Sequence, residues 1–364
     1  MTDTKARRLS VVRTSSDTLR LAQGETVYVG IDVHKATYHV AVVSTERGLL
    51  ATWVQPARPE VLLDRLKPIQ GQIAGLVYEA GPTGFGLARR LRAAGLPAQV
   101  IATSKVLAPI GPEAKCDRLD GRRLALLASK GLLHPVRVPT PQEEADRQVL
   151  RLREQLVRKS RSIQQQIKAF LLQHDIAEPE GLAHWAERAV EALRRLEVLP
   201  ELRLCLDVML DELGHAQGQV KRVTKHLEGL ALAERHRAAS GVMRSVPGVG
   251  LITAMTFRLE LPEPGRFDHA GQVARMAGLA PMVRQSGETR REGGLIRSSS
   301  ARLRTALVEA AWRWVACDEA AKAVYRRLVG NTGSGKKAIV GVARRLGVLL
   351  WRLSCRGEPY RSAA

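Results

Sequence analysis

The sequence predicts a mixed-sheet α/β domain at the N-terminus, then a long helical segment, then a mostly α C-terminal region. Three observations carry this. Short apolar, β-rich runs alternate with amphipathic stretches through the first third of the chain. Apolar residues then recur every seven positions through the middle. Helical stretches separated by Gly-rich segments fill the last third. Four parts follow: a tail over 1–24, an α/β domain over 25–138, a helical segment over 139–238 and a C-terminal domain over 239–364.

Residues 1–24 are polar and lack periodicity. Glu25–Asp32 is a β-rich run that ends in an acid. Val33–Val43 is a second strand, and Gly48–Val54 a third after a turn at Glu46–Gly48. Pro59–Leu66 is a short amphipathic helix. Ile73–Glu79 has the length and apolar continuity of a buried parallel strand. A turn at Gly81–Gly84, a helix over Leu87–Ala94, a strand over Gln99–Ala102 and a helix over Asp117–Lys130 complete the domain. Three strands followed by α/β alternation make one mixed sheet.

Pro139–Pro141 reads as a linker. Beyond it Val149, Leu156, Ile163 and Phe170 lie seven apart, as do Leu206, Leu213, Val220 and Leu227. Met209, Ala216 and Val223 hold the companion position. This is the pattern of an antiparallel coiled-coil hairpin or a dimer seam, and a plain helical bundle would share it. Glu178–Pro200 holds the connection and a shorter helix. The last region has Val246-Pro-Gly-Val-Gly250 between two helical stretches. A Gly/Arg-rich segment follows over Met282–Arg297, then helices over 301–328 and 336–355.

The charge balance narrows the function. Of the 364 residues, 57 are Lys or Arg against 36 Asp or Glu, a net charge of +21; 44 of the 57 are Arg. Such a chain repels itself unless a polyanion accompanies it, and the Arg fork matches phosphate geometry. Nucleic acid is the expected partner. The four cysteines (Cys116, Cys205, Cys317, Cys355) form no CxxC pair, which argues against a zinc knuckle or a disulfide framework. No apolar run approaches the roughly 18 residues of a membrane span, and the basic N-terminus lacks a signal-peptide core. The expected location is cytoplasmic, at the nucleoid.

Four acids stand where metal-dependent phosphoryl transfer would use them. Asp32 and Glu79 end apolar strands, while Asp117 and Asp120 are three apart at the start of a helix and so share one side of it. Strand ends in an open α/β sheet deliver side chains to one edge. Hard carboxylate oxygens gathered there suit Mg²⁺ or Mn²⁺. Singly, each acid is weak evidence, since an acid after a strand is more often a turn residue or a helix cap.

The segments around these acids are Val29-Gly-Ile-Asp32-Val-His-Lys35, Tyr78-Glu79-Ala-Gly81 and Lys115-Cys-Asp117-Arg-Leu-Asp120. They resemble the DEDD transposases of bridge-RNA-guided insertion sequences, a family that includes the Piv/MooV invertases. The resemblance implies a RuvC-like (RNase H) fold with Asp32, Glu79, Asp117 and Asp120 as metal ligands. Cys116 stands where the family commonly has Thr, and Gly121 where it commonly has Ala. Ser245–Gly250, Gly278-Leu-Ala-Pro281, Ser286-Gly287, Arg302-Leu-Arg304 and Leu307–Trp312 resemble the same family's C-terminal transposase domain.

That second resemblance implies a serine nucleophile, carried to Ser286, with Ser298, Ser299 and Ser300 as alternatives. It places Arg297 as a phosphate-stabilising residue and Arg304 among the nucleic-acid contacts. It implies as partners donor and target DNA and a structured noncoding guide RNA, while the heptad seam and the exchange of two duplexes point to at least a dimer. The Val246–Gly250 turn resembles a helix-hairpin-helix, in which Gly248 and Gly250 let backbone N–H groups approach phosphate; a tight helix–helix turn is the plainer reading. A metal-dependent nuclease of Holliday-junction type, with no covalent intermediate, and a non-catalytic nucleic-acid binder are the competing functions. Gly330–Lys336 matches the opening of a P-loop, but Lys337 replaces the required hydroxyl and a helix precedes it. A flexible basic loop is expected there instead.

Overall fold

Alternating apolar residues build the N-terminal sheet. The structure, a computed structural model, describes residues 19, 21–102, 117–286, 289–296 and 300–361. Cys116, Gly287, Arg297, Ser298 and Ser299 lie outside the described residues. The chain divides into two compact units, residues 1–140 and 141–364.

In the first unit, strands β1 (Val27–Val33), β2 (Thr37–Ser44), β3 (Gly48–Pro56), β4 (Ile73–Glu79), β5 (Ala98–Ile101) and β6 (Pro135–Val136) form one sheet, ordered β3-β2-β1-β4-β5-β6. β1 pairs antiparallel with β2 and parallel with β4, and β4 pairs parallel with β5. Strand side chains alternate between faces. Val27, Val29 and Ile31 therefore share one face, packed against Leu62 and Leu66 of α1 (Pro59–Leu66) and Leu91 of α2 (Gly86–Ala93). The opposite face is covered by α3 (Asp117–Ser129), whose Leu124 packs with Val77 and Ile101. The second strand begins at Thr37 rather than Val33, because His34 N–H bonds the Thr37 carbonyl at 3.0 Å and closes a tight turn after β1. β6 has two residues, too few to show a period.

The second unit opens with α4 (Pro141–Gln173) and α6 (Pro200–Leu232), joined through α5 (Glu187–Arg194). Pro141 occupies the first helical position, where its missing N–H costs nothing. Leu150 clusters with Leu227 and Leu230, and Ile163, Ile167 and Leu171 with Leu206, Leu210 and Leu213, so the long helices run antiparallel. The expected stripe on α6 is buried at Leu206, Leu213, Ala216, Val223 and Leu227. On α4 the buried stripe is Leu150, Ile163, Ile167 and Leu171, while Val149, Leu156 and Phe170 flank it half-buried. A straight helix of 3.6 residues per turn drifts away from a strict seven-residue repeat in this way.

Then follow α7 (Glu234–Arg244), α8 (Leu251–Glu260), α9 (Ala270–Met276), the ribbon β7 (Pro281–Ser286) and β8 (Thr289–Leu295), α10 (Ala301–Cys317), α11 (Glu319–Thr332) and α12 (Gly335–Arg356). Phe257, Leu303, Leu307, Val342 and Leu346 centre their common core. The helix expected over 301–328 is two helices, because Asp318 caps α11, its Oδ1 accepting Ala321 N–H at 2.8 Å. The expected flexible loop at Gly330–Gly335 is instead a tight helix–helix turn. α11 runs to Thr332, Gly333 takes φ 62° as its left-handed end, and Ser334 caps α12.

Two buried carboxylates tie elements together. Glu25 is forked by Arg47 (Nε–Oε1 2.7 Å), which, with Ser44 and the Ala22 N–H, draws its carboxyl down to about 2. Asp146 of α4 is buried, which raises its pKa. The Arg235 guanidinium (2.8 and 2.9 Å), His236 Nε2 (2.8 Å) and Gln142 outweigh burial and hold it below the usual carboxylate range. A carboxyl depressed on folding adds stability above its unfolded pKa of roughly 4, and that stability is lost as pH falls through the folded value. Acid unfolding is therefore expected to begin below about pH 4 and to be shifted by substitutions at either site. Asp146→Ala leaves buried His236 without its carboxylate and is expected to destabilise the second unit by about 3 kcal/mol, read by urea denaturation.

Candidate active site

The acidic site of the first unit is built by parallel strand pairing. The β1–β4 register ends at Ile31 opposite Tyr78, so Asp32 and Glu79 are the next residues on adjacent strands, at their carboxyl ends. Gly30 and Val77 point to the α3 face, and pleating returns Asp32 and Glu79 to that same face. Both side chains are half-buried; Asp32 is 22% exposed.

α3 reaches this edge by an unusually close approach to β1. A Cβ at Gly30 would lie 2.0 Å from the Gly121 carbonyl oxygen and 2.5 Å from Ala125 N. A Cβ at Gly121 would lie 3.0 Å from the His39 carbonyl oxygen and 3.6 Å from Asp32 N. The helix backbone therefore rests on the strand backbone beside Asp32. Its first turn carries Asp117 and Asp120. Glycine at 121 keeps a methyl group out of this contact.

One neighbour of the acids had no role in the sequence reading. His34 Nε2 sits 2.9 Å from Asp32 Oδ2, and its ring meets His39 edge-on at 5.3 Å. The signal was a histidine two positions after a strand-ending acid, which a tight turn brings back to the same side.

Ser286 lies in the second unit, on β7. It pairs with Thr289, so residues 287 and 288 alone connect the strands and Ser286 stands at the ribbon tip. The ribbon base is fixed where Ile296 N–H bonds the Ala280 carbonyl (3.1 Å) and Ser300 N–H the Met276 carbonyl (3.2 Å). Ser300 caps α10, its hydroxyl accepting Leu303 N–H at 3.2 Å and donating to Glu260 Oε2 at 3.3 Å. Arg302 bridges Glu154 of α4 (2.5 Å) and Glu260 of α8 (3.2 Å), pinning the start of α10. Arg304 is half-buried on the first turns of α10.

The two glycines of the α7–α8 turn have different surroundings. Gly248 has φ 83°, and a Cβ there would meet Trp314 N at 2.5 Å, so a side chain is barred by α10. Gly250 opens α8 with free space where a Cβ would be and no side-chain cap.

Comparison with known proteins gives these features a context. A transposase family model of the IS110 DEDD type matches residues 29–175. The model described as "Transposase IS116/IS110/IS902 family" matches residues 240–326. The chain is similar to the putative transposase y4qE of Sinorhizobium fredii, at 31% identity over 91% of this chain and 83% of the relative. It is similar to the putative transposase y4rJ of the same organism, at 30% identity over 79% and 78%. It is also similar to the transposase for insertion sequence element IS1533 of Leptospira borgpetersenii, at 28% identity over 79% and 85%. The protein is an enzyme that acts on DNA, a transposase. It belongs to the IS116/IS110/IS902 family of insertion-sequence transposases. Among the described residues no helix is long and apolar enough to cross a membrane.

Proposed function

We propose that this transposase cuts and rejoins DNA with a RuvC-like DEDD site in residues 25–138 and a serine nucleophile, Ser286, in the C-terminal domain over 239–364, guided by a structured noncoding RNA. The observation that carries the acidic half is the Gly30–Gly121 contact. It sets the α3 backbone at Gly121 beside Asp32, and it supports a site that gathers Asp117 and Asp120 with Asp32 and Glu79. All four supply hard carboxylate oxygens, a donor set suited to Mg²⁺ or Mn²⁺. A divalent ion held there would neutralise charge on the phosphate and on the attacking and leaving oxygens. His34 fixes one oxygen of Asp32 and thereby orients the carboxylate. In the serine step, Ser286 Oγ forms a bond to phosphorus as the bond to a deoxyribose oxygen breaks. The hydroxyl gives up its proton, the departing oxygen takes one, and no electrons change hands. The covalent phosphoserine diester conserves the bond for rejoining.

The excess of arginine supports binding to both DNA and a guide RNA, since RNA is recognised through shape and unpaired loops. The helical segment 139–238, with its paired long helices, supports assembly into at least a dimer through a coiled-coil seam. Gly250, Arg297 and Arg304 are proposed nucleic-acid contacts, as is the Gly248 turn.

The direct test uses wild type and Ser286→Ala with labelled donor and target DNA, the flanking RNA and Mg²⁺. Wild type should give an SDS-resistant protein–DNA adduct on a denaturing gel, and Ser286→Ala none. An adduct that persists in Ser286→Ala and vanishes in a Ser298, Ser299 or Ser300 variant would move the nucleophile. Cleavage with no adduct would support the plain nuclease. Nucleic-acid affinity is expected to fall by roughly 10³-fold or more between about 50 and 200 mM salt, measured by fluorescence anisotropy.

A further inference from the structure

The face of the ribbon that carries Ser286 has a second property, and its reading rests on Ser286 as nucleophile. In the β7–β8 register Ser286 stands opposite Thr289, Gln285 opposite Arg290, Arg284 opposite Arg291, and Val283 opposite Glu292. Successive strand positions alternate between faces. Ser286, Thr289, Arg284 and Arg291 thus share one face, and Gln285, Arg290, Val283 and Glu292 the other.

The two faces differ in charge. On the second face Arg290 is accompanied two residues on by Glu292. On the Ser286 face two arginines stand directly opposite each other with no acid among the paired positions. Directly opposed like charges destabilise a strand pair. An anion between them reverses the sign of that interaction. The pair lies two residues from Ser286, about 6.6 Å along the ribbon, within reach of a long side chain bound to the same phosphodiester. The ribbon is anchored at its base, so the positions are held in a fixed register.

We propose that Arg284 and Arg291 bind the scissile DNA phosphodiester at Ser286, holding its non-bridging oxygens while Ser286 Oγ attacks phosphorus. Negative charge grows on those oxygens as the new bond forms. Guanidinium donors already in place stabilise that charge more than the charge of the bound diester. Arginine fits the role because it donates in a planar fork and keeps its charge.

The test measures two quantities for wild type, Arg284→Ala, Arg291→Ala, Arg284→Lys, Arg291→Lys and the opposite-face control Arg290→Ala. One is the rate of adduct formation at saturating DNA and RNA; the other is equilibrium DNA affinity by anisotropy. Arg284→Ala and Arg291→Ala should each slow the adduct on the order of a hundredfold, the scale for losing one donor to developing oxyanion charge. Affinity should fall less than about tenfold and the salt slope by about one. Lysine should recover part of the rate, and Arg290→Ala should stay within about threefold of wild type in rate while still losing a phosphate contact's worth of salt slope if it touches DNA at all. Alanine variants at 284 and 291 that keep the wild-type rate, or an Arg290→Ala variant as slow as they are, would overturn the assignment. If wild type forms no adduct, the serine reading fails and this one with it. If wild type forms the adduct and the two arginines are dispensable, only this one fails.

Discussion

Asp32→Ala is expected to yield a folded protein that still binds nucleic acid and no longer cuts it. Asp32 stands near the carboxyl end of β1. It is next to Glu79 across the β1–β4 pairing, its backbone N lies 3.6 Å from where a Gly121 Cβ would be, and its carboxylate is held by His34. Removing it takes a hard oxygen donor from the site and leaves His34 without that partner. Even groups that only orient a metal ligand cost roughly 10- to 100-fold when lost, so loss of the proposed ligand should cost at least about a hundredfold in cleavage rate. Asp32 is not part of the strand's apolar face, so stability should change by less than about 1 kcal/mol. Cleavage and anisotropy measured on the same preparation separate the two effects. Wild-type cleavage by Asp32→Ala would remove this carboxylate from the chemistry.

Gly30→Ala is expected to damage both fold and activity, although it adds one methyl group. That methyl would stand 2.0 Å from the Gly121 carbonyl oxygen and 2.5 Å from Ala125 N, both backbone atoms that cannot rotate away. α3 must lift from the sheet. Overpacking of this kind costs about 3 kcal/mol at its upper range, which urea denaturation would show as a lower midpoint. Lifting the helix by about 1 Å also moves the Asp117–Asp120 turn from the strand ends, and a misplacement of that size costs on the order of a hundredfold in rate. Gly121→Ala is the graded comparison. Its methyl would sit 3.0 Å from the His39 carbonyl, so a small adjustment suffices and a loss near 1 kcal/mol is expected. Equal stability of Gly30→Ala and wild type would show that the strand and helix backbones are not in the contact described.

The acid-bearing elements were legible in the sequence for a physical reason. β1 and β4 carry mostly buried apolar runs, Val27–Ile31 and Ile73–Tyr78, each followed at once by an acid, which marks where a buried run meets a polar site. α3 announces itself with an acid at its first position and an uninterrupted helical stretch. The close approach of α3 to β1 was not legible. A glycine within a strand signals only weakness, and nothing in the spacing of Gly30 and Gly121 says that they meet. His34 was hidden in the same way, because its partner is set by a turn rather than by periodicity. The ribbon was missed altogether. Arg284, Arg290, Arg291 and the Gly293–Gly294 pair give no apolar alternation, and pairing is dictated by a two-residue connection and an anchored base. On α4 the seven-residue count pointed slightly off the buried stripe, since the real helix turns every 3.6 residues.

The two long helices of the second unit have the same length, 33 residues each. At about 1.5 Å per residue each extends about 50 Å, the axial length of roughly fifteen stacked base pairs. Lengthening one helix alone by a turn would slide Leu150 away from Leu227 and strand the far cluster around Leu171 and Leu206. Equal insertions in both, in steps close to a whole number of turns such as about seven or eleven residues, return the apolar residues to nearly the same side. The pair is thus a gauge with preferred settings. A seven-residue step resets its span by about 10 Å, roughly three base pairs.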